Sequence, residues 1–206
     1  MKYLLYIAAG YLSGSVLFSY YLPLWLRGID VTRDTPDGNP GAFNCIANAG
    51  WPLGLLALAC DLLKGALPVW LAARDLGRLD WGFALVMAAP VAGHAWPLFR
   101  RFKGGKAIAV SFGVALGLLP EWQPVVILAA CYLFFSLVIR LEPHRFRSIV
   151  TYLCFGAVTQ VWLGAAPMGL GCLLLAGIVI RRHWGPEPEE ERPTVRVRVR
   201  ARQRRE

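Results

Sequence analysis

The chain contains apolar runs that are too long and too numerous for a soluble domain of 206 residues. Hydrophobic residues make up 56% of the sequence and charged residues only 17%, which is outside the usual composition of soluble domains. Since about 20 apolar residues in a helix cross the hydrocarbon core of a bilayer, we predict an all-α integral membrane protein with about seven transmembrane helices. These helices are predicted at residues 3–26, 51–73, 81–98, 107–119, 122–140, 148–164 and 167–181.

The charges in the loops orient the predicted helices. Lysine and arginine are concentrated in the loops after the first, third, fifth and seventh helices, whereas the other side carries only Lys2, Arg74 and Arg78. The positive-inside rule assigns such basic loops to the cytoplasm. We therefore predict a multi-pass protein of the cell inner membrane, with its N-terminus outside and its C-terminus inside. All the unusual loops then face the cytoplasm, where they can form one site.

The last residues of the chain are rich in arginine. Seven of the 22 lysines and arginines lie beyond residue 190. We predict a membrane domain at residues 1–185 and a basic tail at residues 186–206, which is disordered and lies near anionic lipid. Because so much of the net charge of +9 belongs to this tail, the charge does not indicate a nucleic-acid partner. The five cysteines lack metal-ligand spacing, so neither disulfides nor a metal site is expected.

Residues 93–106 join the end of the third predicted helix to the next one, and they combine a histidine, a proline, four cations and a glycine pair. Glycine lets the backbone approach a ligand and present its N–H groups, and lysine supplies a point charge suited to phosphate. We predict a phosphate site here, with a positive-inside anchor as the alternative. Arg100 and Arg101 are interpreted as anchors only. The predicted phosphate-binding residues are Lys103, Gly104, Gly105 and Lys106.

Two polar positions inside the predicted helices are further candidates. Asp61 and Lys64 lie three residues apart on one helical face, at a depth where a charge is costly unless it is paired or faces a polar cavity. A structural ion pair and a pair that lines a site are both open as interpretations. His94 ends the third helix, and a packed histidine is a commoner role for such a residue than direct chemistry.

The basic segments near residues 145 and 182 also carry candidates. Arginine binds phosphate with two parallel hydrogen bonds, and serine at a helix start either caps the helix or binds an anion. A terminal histidine can act as a base or bind a hydroxyl group. The alternatives are topology charges, an N-cap and an arginine that reaches the interface. The residues concerned are Arg145, Arg147, Ser148, Arg182 and His183.

The first loop, residues 27–49, contains turn signals at Asp37-Gly38 and Asn39-Pro40. Residues 41–49 are predicted to form a short interfacial helix whose N-terminus points at an anion.

These motifs, taken in order, resemble the bacterial membrane glycerol-3-phosphate acyltransferases that use acyl phosphate as donor, the PlsY family. The resemblance covers most of residues 3–185. The matching residues are Gly14-Ser15, Gly38-Asn39, Gly41-Ala42, Asn44, Asp61, Lys64-Gly65, Gly93-His94, Pro97, Phe99, Phe102, Gly104-Gly105-Lys106, Ser148-Ile149 and Arg182-His183.

The resemblance implies an enzyme with a cytoplasm-facing groove that transfers a fatty acyl group from acyl phosphate to glycerol 3-phosphate, giving lysophosphatidate for phospholipid synthesis. It implies no metal and no cofactor; the partners are the two substrates and membrane lipids. Such a site holds two phosphate-bearing substrates and aligns a hydroxyl on a carbonyl. Lys106 and His183 are the implied catalytic residues, with the Gly104 and Gly105 amides on phosphate. The other implied binding residues are Asn39, Gly41, Asn44, Lys64, His94, Lys103, Arg145, Arg147, Ser148 and Arg182.

Several site positions depart from the family pattern. Asp37, Phe43 and Ala47 stand where the family usually has serine, threonine and arginine, and Ala107 replaces a glycine after Lys106. A carboxylate at position 37 adds negative charge where an anion is expected to bind. These departures have three alternative explanations. The missing positive charge is supplied by the arginines near residue 145, or the protein acylates a different acceptor, or it has lost catalysis. Outside the enzymes, the alternative function is that of a non-catalytic lipid-binding or partner protein. A transporter has little support in the sequence.

Overall fold

The structure is a computed structural model, and it describes residues 2–33, 35, 37–184 and 194–197. These residues form nine α-helices and one two-stranded antiparallel sheet. The helices are α1 (Lys2–Ser15), α2 (Phe18–Arg27), α3 (Ala42–Ala49), α4 (Trp51–Leu76), α5 (Gly82–Ala95), α6 (Ile108–Gly117), α7 (Gln123–Leu133), α8 (His144–Leu163) and α9 (Pro167–His183). A 3₁₀ turn, Leu98–Arg100, follows α5, and a π-helical turn, Phe134–Val138, follows α7; the strands are β1 (Ile139–Glu142) and β2 (Thr194–Val197).

Three helical segments among the described residues are long and apolar enough to cross a membrane: α4, α8, and α5 with the turn after it. The bent pair of α1 and α2 provides a fourth span if its halves are counted together. The ten residues of α6 extend about 15 Å, which is half of a hydrocarbon core of about 30 Å. The prediction of a helical membrane protein is confirmed, and the predicted helix at 41–49 is present as α3.

One predicted feature of the C-terminal half is wrong. The fifth predicted helix, 122–140, ends at Val138 and gives way to β1, so the fold is not purely α-helical. Thr194–Val197 lies within the predicted basic tail and pairs with β1 in a register that puts Ile139 opposite Val197. Residues 194, 195 and 197 are β-branched, which favours a strand once a partner edge is available. The rest of the predicted tail lies outside the described residues.

The first predicted helix, residues 3–26, is broken at Val16 and Leu17, and its two halves meet at 45°. The break removes the carbonyl of Val16 from regular helical hydrogen bonding. Lys64 Nζ donates to this carbonyl at 2.6 Å. Because an unpaired carbonyl in the apolar part of a bilayer costs several kcal/mol, this buried cation stabilises the break.

The charge of Lys64 is balanced inside the bundle. Its Nζ lies 2.7 Å from Asp61 Oδ1, and the two side chains are 2% and 1% exposed. Ser19 of α2 donates to the other carboxylate oxygen of Asp61 at 2.5 Å. The pair therefore joins α4 to both halves of the first segment, and its contacts favour the structural alternative over Lys64 as a substrate-binding residue.

The core of the bundle is built around α5, which packs against α1, α4, α6 and α9. Among the largest fully buried side chains are Phe83 and Met87 from α5 and Tyr152 and Phe155 from α8. Glycines bring the backbones of α1 and α5 together, since a Cβ on Gly14 would overlap the Pro90 carbonyl. Small residues at such contacts are the usual means of close packing between membrane helices.

We expect Gly14→Ala to destabilise the protein. The added Cβ would overlap the carbonyl oxygen of Pro90, so α1 and α5 must separate, at a cost of about 1–3 kcal/mol. Gly177→Ala is the matched control, because nothing lies within 4 Å of a Cβ added there. Thermal unfolding of the purified proteins in one detergent measures both changes. Equal Tm values for the two variants would contradict the close contact.

Lys64→Met is expected to destabilise the fold by about 3–5 kcal/mol, because it leaves Asp61 charged and buried without its partner. The double variant Asp61→Asn/Lys64→Met removes the orphaned charge and is expected to recover part of the loss. Denaturant unfolding in detergent provides the comparison. If the single variant is as stable as the native protein, the ion pair does not hold the broken segment.

Candidate functional site

Four polar segments meet at one end of the bundle, and together they are called the loop cluster. They are the first loop, the turn between α5 and α6, the start of α8 and the end of α9. Lys106 in the turn contacts Asp37 in the first loop. Arg182 at the end of α9 contacts the same turn. The rings of His144 and His183 lie 6.1 Å apart between their centroids. The structure therefore brings the predicted motif loops together.

The carboxylate of Asp37 is the centre of the contacts in the first loop. Its Oδ2 accepts a hydrogen bond from Lys106 Nζ at 2.7 Å. Its Oδ1 accepts from Asn44 Nδ2 at 3.1 Å and from the backbone N–H of Asn39 at 3.2 Å. Asn44 Nδ2 also donates to the Asn39 carbonyl at 2.8 Å, which fixes the loop on the N-terminal turn of α3. The sequence marks Asp37 as part of a turn and as a departure from the family pattern, but it predicts no contact for this residue.

The contacts of Asp37 keep it ionised at neutral pH. Partial burial favours a higher pKa for this carboxyl, but the hydrogen bond and the charge of Lys106, with the Asn44 and Asn39 donors, lower the pKa below its usual value. The pairing therefore stabilises the fold above the unfolded pKa, and this contribution is lost as the pH falls through the folded pKa. The Lys106 and Asp37 side chains are 27% and 41% exposed, so solvent screens the pair and a solute can reach it.

The glycine pair before Lys106 is required by close packing on His94. A Cβ on Gly104 would overlap the His94 carbonyl oxygen, and a Cβ on Gly105 would overlap His94 Nε2. The N–H of Gly105 donates to the His94 carbonyl at 3.1 Å. The Gly105 amide is thus used within the turn, and phosphate binding by the two glycine amides stays a prediction. His94 is buried and supports the turn through these contacts.

Arg182 holds the same turn from α9. Its Nη2 donates to the Gly104 carbonyl at 2.7 Å, and its Nε donates to the Gly105 carbonyl at 3.0 Å. Ala107, directly after Lys106, has a left-handed backbone with φ of 62°. Such a conformation costs a residue other than glycine about 1–2 kcal/mol. Contacts on both sides of the glycine pair therefore hold Lys106 at the end of a strained turn.

His183 presents an acceptor nitrogen. Its Nδ1–H donates to the Val179 carbonyl at 2.8 Å, since a carbonyl can only accept. Nε2 is then the acceptor; it is buried and has no hydrogen-bond partner within the described ranges. His144 lies beside this ring, and the charge of Lys106 acts on both histidines. The arrangement combines a cation for an anionic group with a base for a hydroxyl.

The chain also matches known proteins over most of its length. Residues 4–186 match the family model described as glycerol-3-phosphate acyltransferase. This chain belongs to the glycerol-3-phosphate acyltransferase family. Glycerol-3-phosphate acyltransferase 4 of Dehalococcoides mccartyi is 41% identical over 147 residues, which cover 71% of this chain and 62% of that protein. A second D. mccartyi relative, glycerol-3-phosphate acyltransferase 5, is also matched over only 62% of its length.

Other relatives of this acyltransferase-family protein are matched over more of their length. The glycerol-3-phosphate acyltransferase of Parasynechococcus marenigrum is 44% identical over 181 residues, which cover 87% of this chain and 82% of that protein. The crystal structure of the integral membrane enzyme PlsY in its glycerol 3-phosphate form superposes with a TM-score of 0.76 at 26% identity. That superposition covers 89% of this chain and 88% of PlsY.

The remaining predicted residues of this family member have varied surroundings. Ser148 is buried and donates to the His144 carbonyl at 2.9 Å, so its hydroxyl group serves the first turn of α8. Gly41 packs against Asn39, whose Nδ2 lies 2.7 Å from the position of a Cβ on Gly41. Lys103 is exposed, while Arg145 and Arg147 are half-buried on the first turn of α8. Within the part of the chain that the structure describes, no group of three or more His, Cys, Asp or Glu side chains could hold a metal ion.

Two residues of this acyltransferase-family site were not recognised from the sequence. Arg100 was predicted to be only an anchor, but its Nη1 donates to the Lys103 carbonyl at 2.9 Å and its guanidinium lies 4.1 Å from the centroid of the Tyr20 ring. It thereby links α2 to the turn. His144 lies against His183, and the only sequence signal for it was its place beside the basic segment at residue 145.

Proposed function

We propose that this protein transfers a fatty acyl group from acyl phosphate to glycerol 3-phosphate, giving lysophosphatidate for phospholipid synthesis. The observation that carries the proposal is the Lys106 ammonium group at the end of a fixed turn, in the same loop cluster as the acceptor nitrogen of His183. Membership of the family supports the reaction type. PlsY, which has the same fold, was crystallised in a glycerol 3-phosphate form and in a lysophosphatidic acid form.

In this reaction the protein has to position the two substrates and offset their negative charge. The hydroxyl oxygen of glycerol 3-phosphate attacks the carbonyl carbon of the acyl phosphate, and an ester C–O bond forms. The bond between that carbon and the phosphate oxygen breaks, and phosphate leaves with the electron pair. His183 Nε2 accepts the hydroxyl proton, and Lys106 offsets the negative charge on the phosphate. Because the donor is already activated, no serine or cysteine nucleophile is needed.

The residues around this centre divide into three groups by their contacts and charges. Asn39, Asn44 and Lys106 direct donors to one place and are assigned to phosphate binding. Further positive charge for the two anionic substrates comes from Lys103, Arg145 and Arg147. The others position the turn, the loop or α8, and they are His94, Gly104, Gly105, Arg182, Gly41 and Ser148.

The membrane domain, residues 1–185, is proposed to cross the bilayer seven times, with α1 and α2 as one bent span and α6 and α7 as short ones. Short spans are accommodated by tilt and by local thinning of the bilayer. The basic loops support a cytoplasmic position for the site, with the N-terminus outside and the C-terminus inside the inner membrane. Both proposed substrates are phosphate esters or anhydrides that a cytoplasmic groove can receive, and the basic tail lies near anionic lipid.

An acyl-transfer assay tests this function. We expect purified native protein in detergent to form lysophosphatidate from palmitoyl phosphate and glycerol 3-phosphate, measured by mass spectrometry. Lys106→Ala is expected to lower kcat/KM by about 100-fold, because it removes a donor from the developing charge. Lys2→Ala is the matched control, since Lys2 lies at the first residue of α1, away from the loop cluster.

Two results would contradict the proposal. If folded native protein forms product only with another acceptor, while a family enzyme is active in parallel, the protein acylates a different substrate. If no acyl transfer occurs with any acceptor, the family scaffold has been kept for lipid binding or for a protein partner.

A further inference from the structure

We propose that Asp37 occupies the phosphate-binding position of the unliganded protein and that a substrate phosphate binds by displacing this carboxylate from Lys106. Asp37 would then set the affinity of the site for phosphate-bearing substrates. This inference rests on the proposed function, because it concerns the same site and the same substrates.

The donors that surround Asp37 are those that would bind a phosphate. An ammonium group, a side-chain amide and a backbone N–H converge on the two oxygens of one carboxylate, at 2.7, 3.1 and 3.2 Å. These groups only donate, and a phosphate offers them oxygens of the same kind with more negative charge. These donors therefore need an anionic oxygen acceptor, but not specifically a carboxylate.

Exposure makes this carboxylate replaceable. Asp37 is 41% exposed and Lys106 is 27% exposed, in contrast with the fully buried pair of Asp61 and Lys64. A surface ion pair contributes little to stability because water and salt screen it. The Asp37 side chain can turn into solvent without leaving a charge buried, and Lys106 then becomes available to a ligand.

Simultaneous binding of both anions is unfavourable. If a phosphate joined Asp37 on Lys106, at least two negative charges would face one ammonium, and the two anions would repel each other within contact distance. The turn that carries Lys106 is fixed by Arg182 and His94, so Lys106 has limited freedom to serve two separate anions. Phosphate and carboxylate therefore exclude each other.

Removal of the carboxylate charge is expected to tighten phosphate binding. We expect Asp37→Ser and Asp37→Asn each to lower the Kd for glycerol 3-phosphate and for inorganic phosphate by about two- to fivefold, the scale of one exposed ion pair. KM for glycerol 3-phosphate is expected to fall by a similar factor. Adding Lys106→Ala to Asp37→Ser is expected to abolish the gain.

Calorimetric titration of the purified full chain in detergent measures these constants without requiring turnover. Glu121→Gln is the matched control: it removes one carboxylate charge from a partly exposed pair with Arg78, at 3.2 Å, in the loops opposite the site. Its Kd values should equal those of the native protein. Two substitutions at position 37 guard against a folding defect in either one.

The outcomes separate this inference from the proposed function. Tighter phosphate binding by both Asp37 variants, without acyl transfer by any protein, supports displacement and contradicts the proposed reaction. Acyl transfer with unchanged or weaker phosphate binding in both variants overturns displacement, and Asp37 then serves to position Lys106. Equal tightening in the Glu121→Gln control would also overturn it, because the effect would be one of net charge.

Discussion

The buried contact between Lys64 and Asp61 makes the rest of this architecture possible. A break in the first membrane segment is costly in lipid, and the Lys64 ammonium offsets that cost by binding the Val16 carbonyl. Asp61 in turn neutralises Lys64 and accepts from Ser19 beyond the break. The 45° bend then leads α2 and the first loop towards the turn between α5 and α6, where Asp37 meets Lys106.

Two lysine–aspartate pairs with the same 2.7 Å separation have different roles because water reaches them differently. The pair of Asp61 and Lys64 is closed to solvent, so neither member can leave without a large loss of stability. The pair of Asp37 and Lys106 lies at the surface, where exchange with a dissolved anion costs little. Burial therefore makes the pair of Asp61 and Lys64 structural, whereas the exposed pair of Asp37 and Lys106 can be broken by a substrate anion.

The helical membrane fold was predictable from the sequence because hydropathy depends on local composition. The break at Val16 was not, since no glycine or proline occupies it and its stabilising donor is 48 residues away. The contact between Asp37 and Lys106 joins residues 69 apart, and sequence spacing carries no signal for it. The glycine pair was interpreted as a ligand cradle, although its tight packing on His94 is a tertiary effect.

A structure of the chain with glycerol 3-phosphate bound would test most directly whether Lys106 exchanges one anion for another. Displacement predicts a phosphate oxygen about 2.7–2.9 Å from Lys106 Nζ, with the Asp37 carboxylate turned away beyond hydrogen-bond distance. A phosphate bound elsewhere, with the 2.7 Å contact between Asp37 and Lys106 intact, would contradict it.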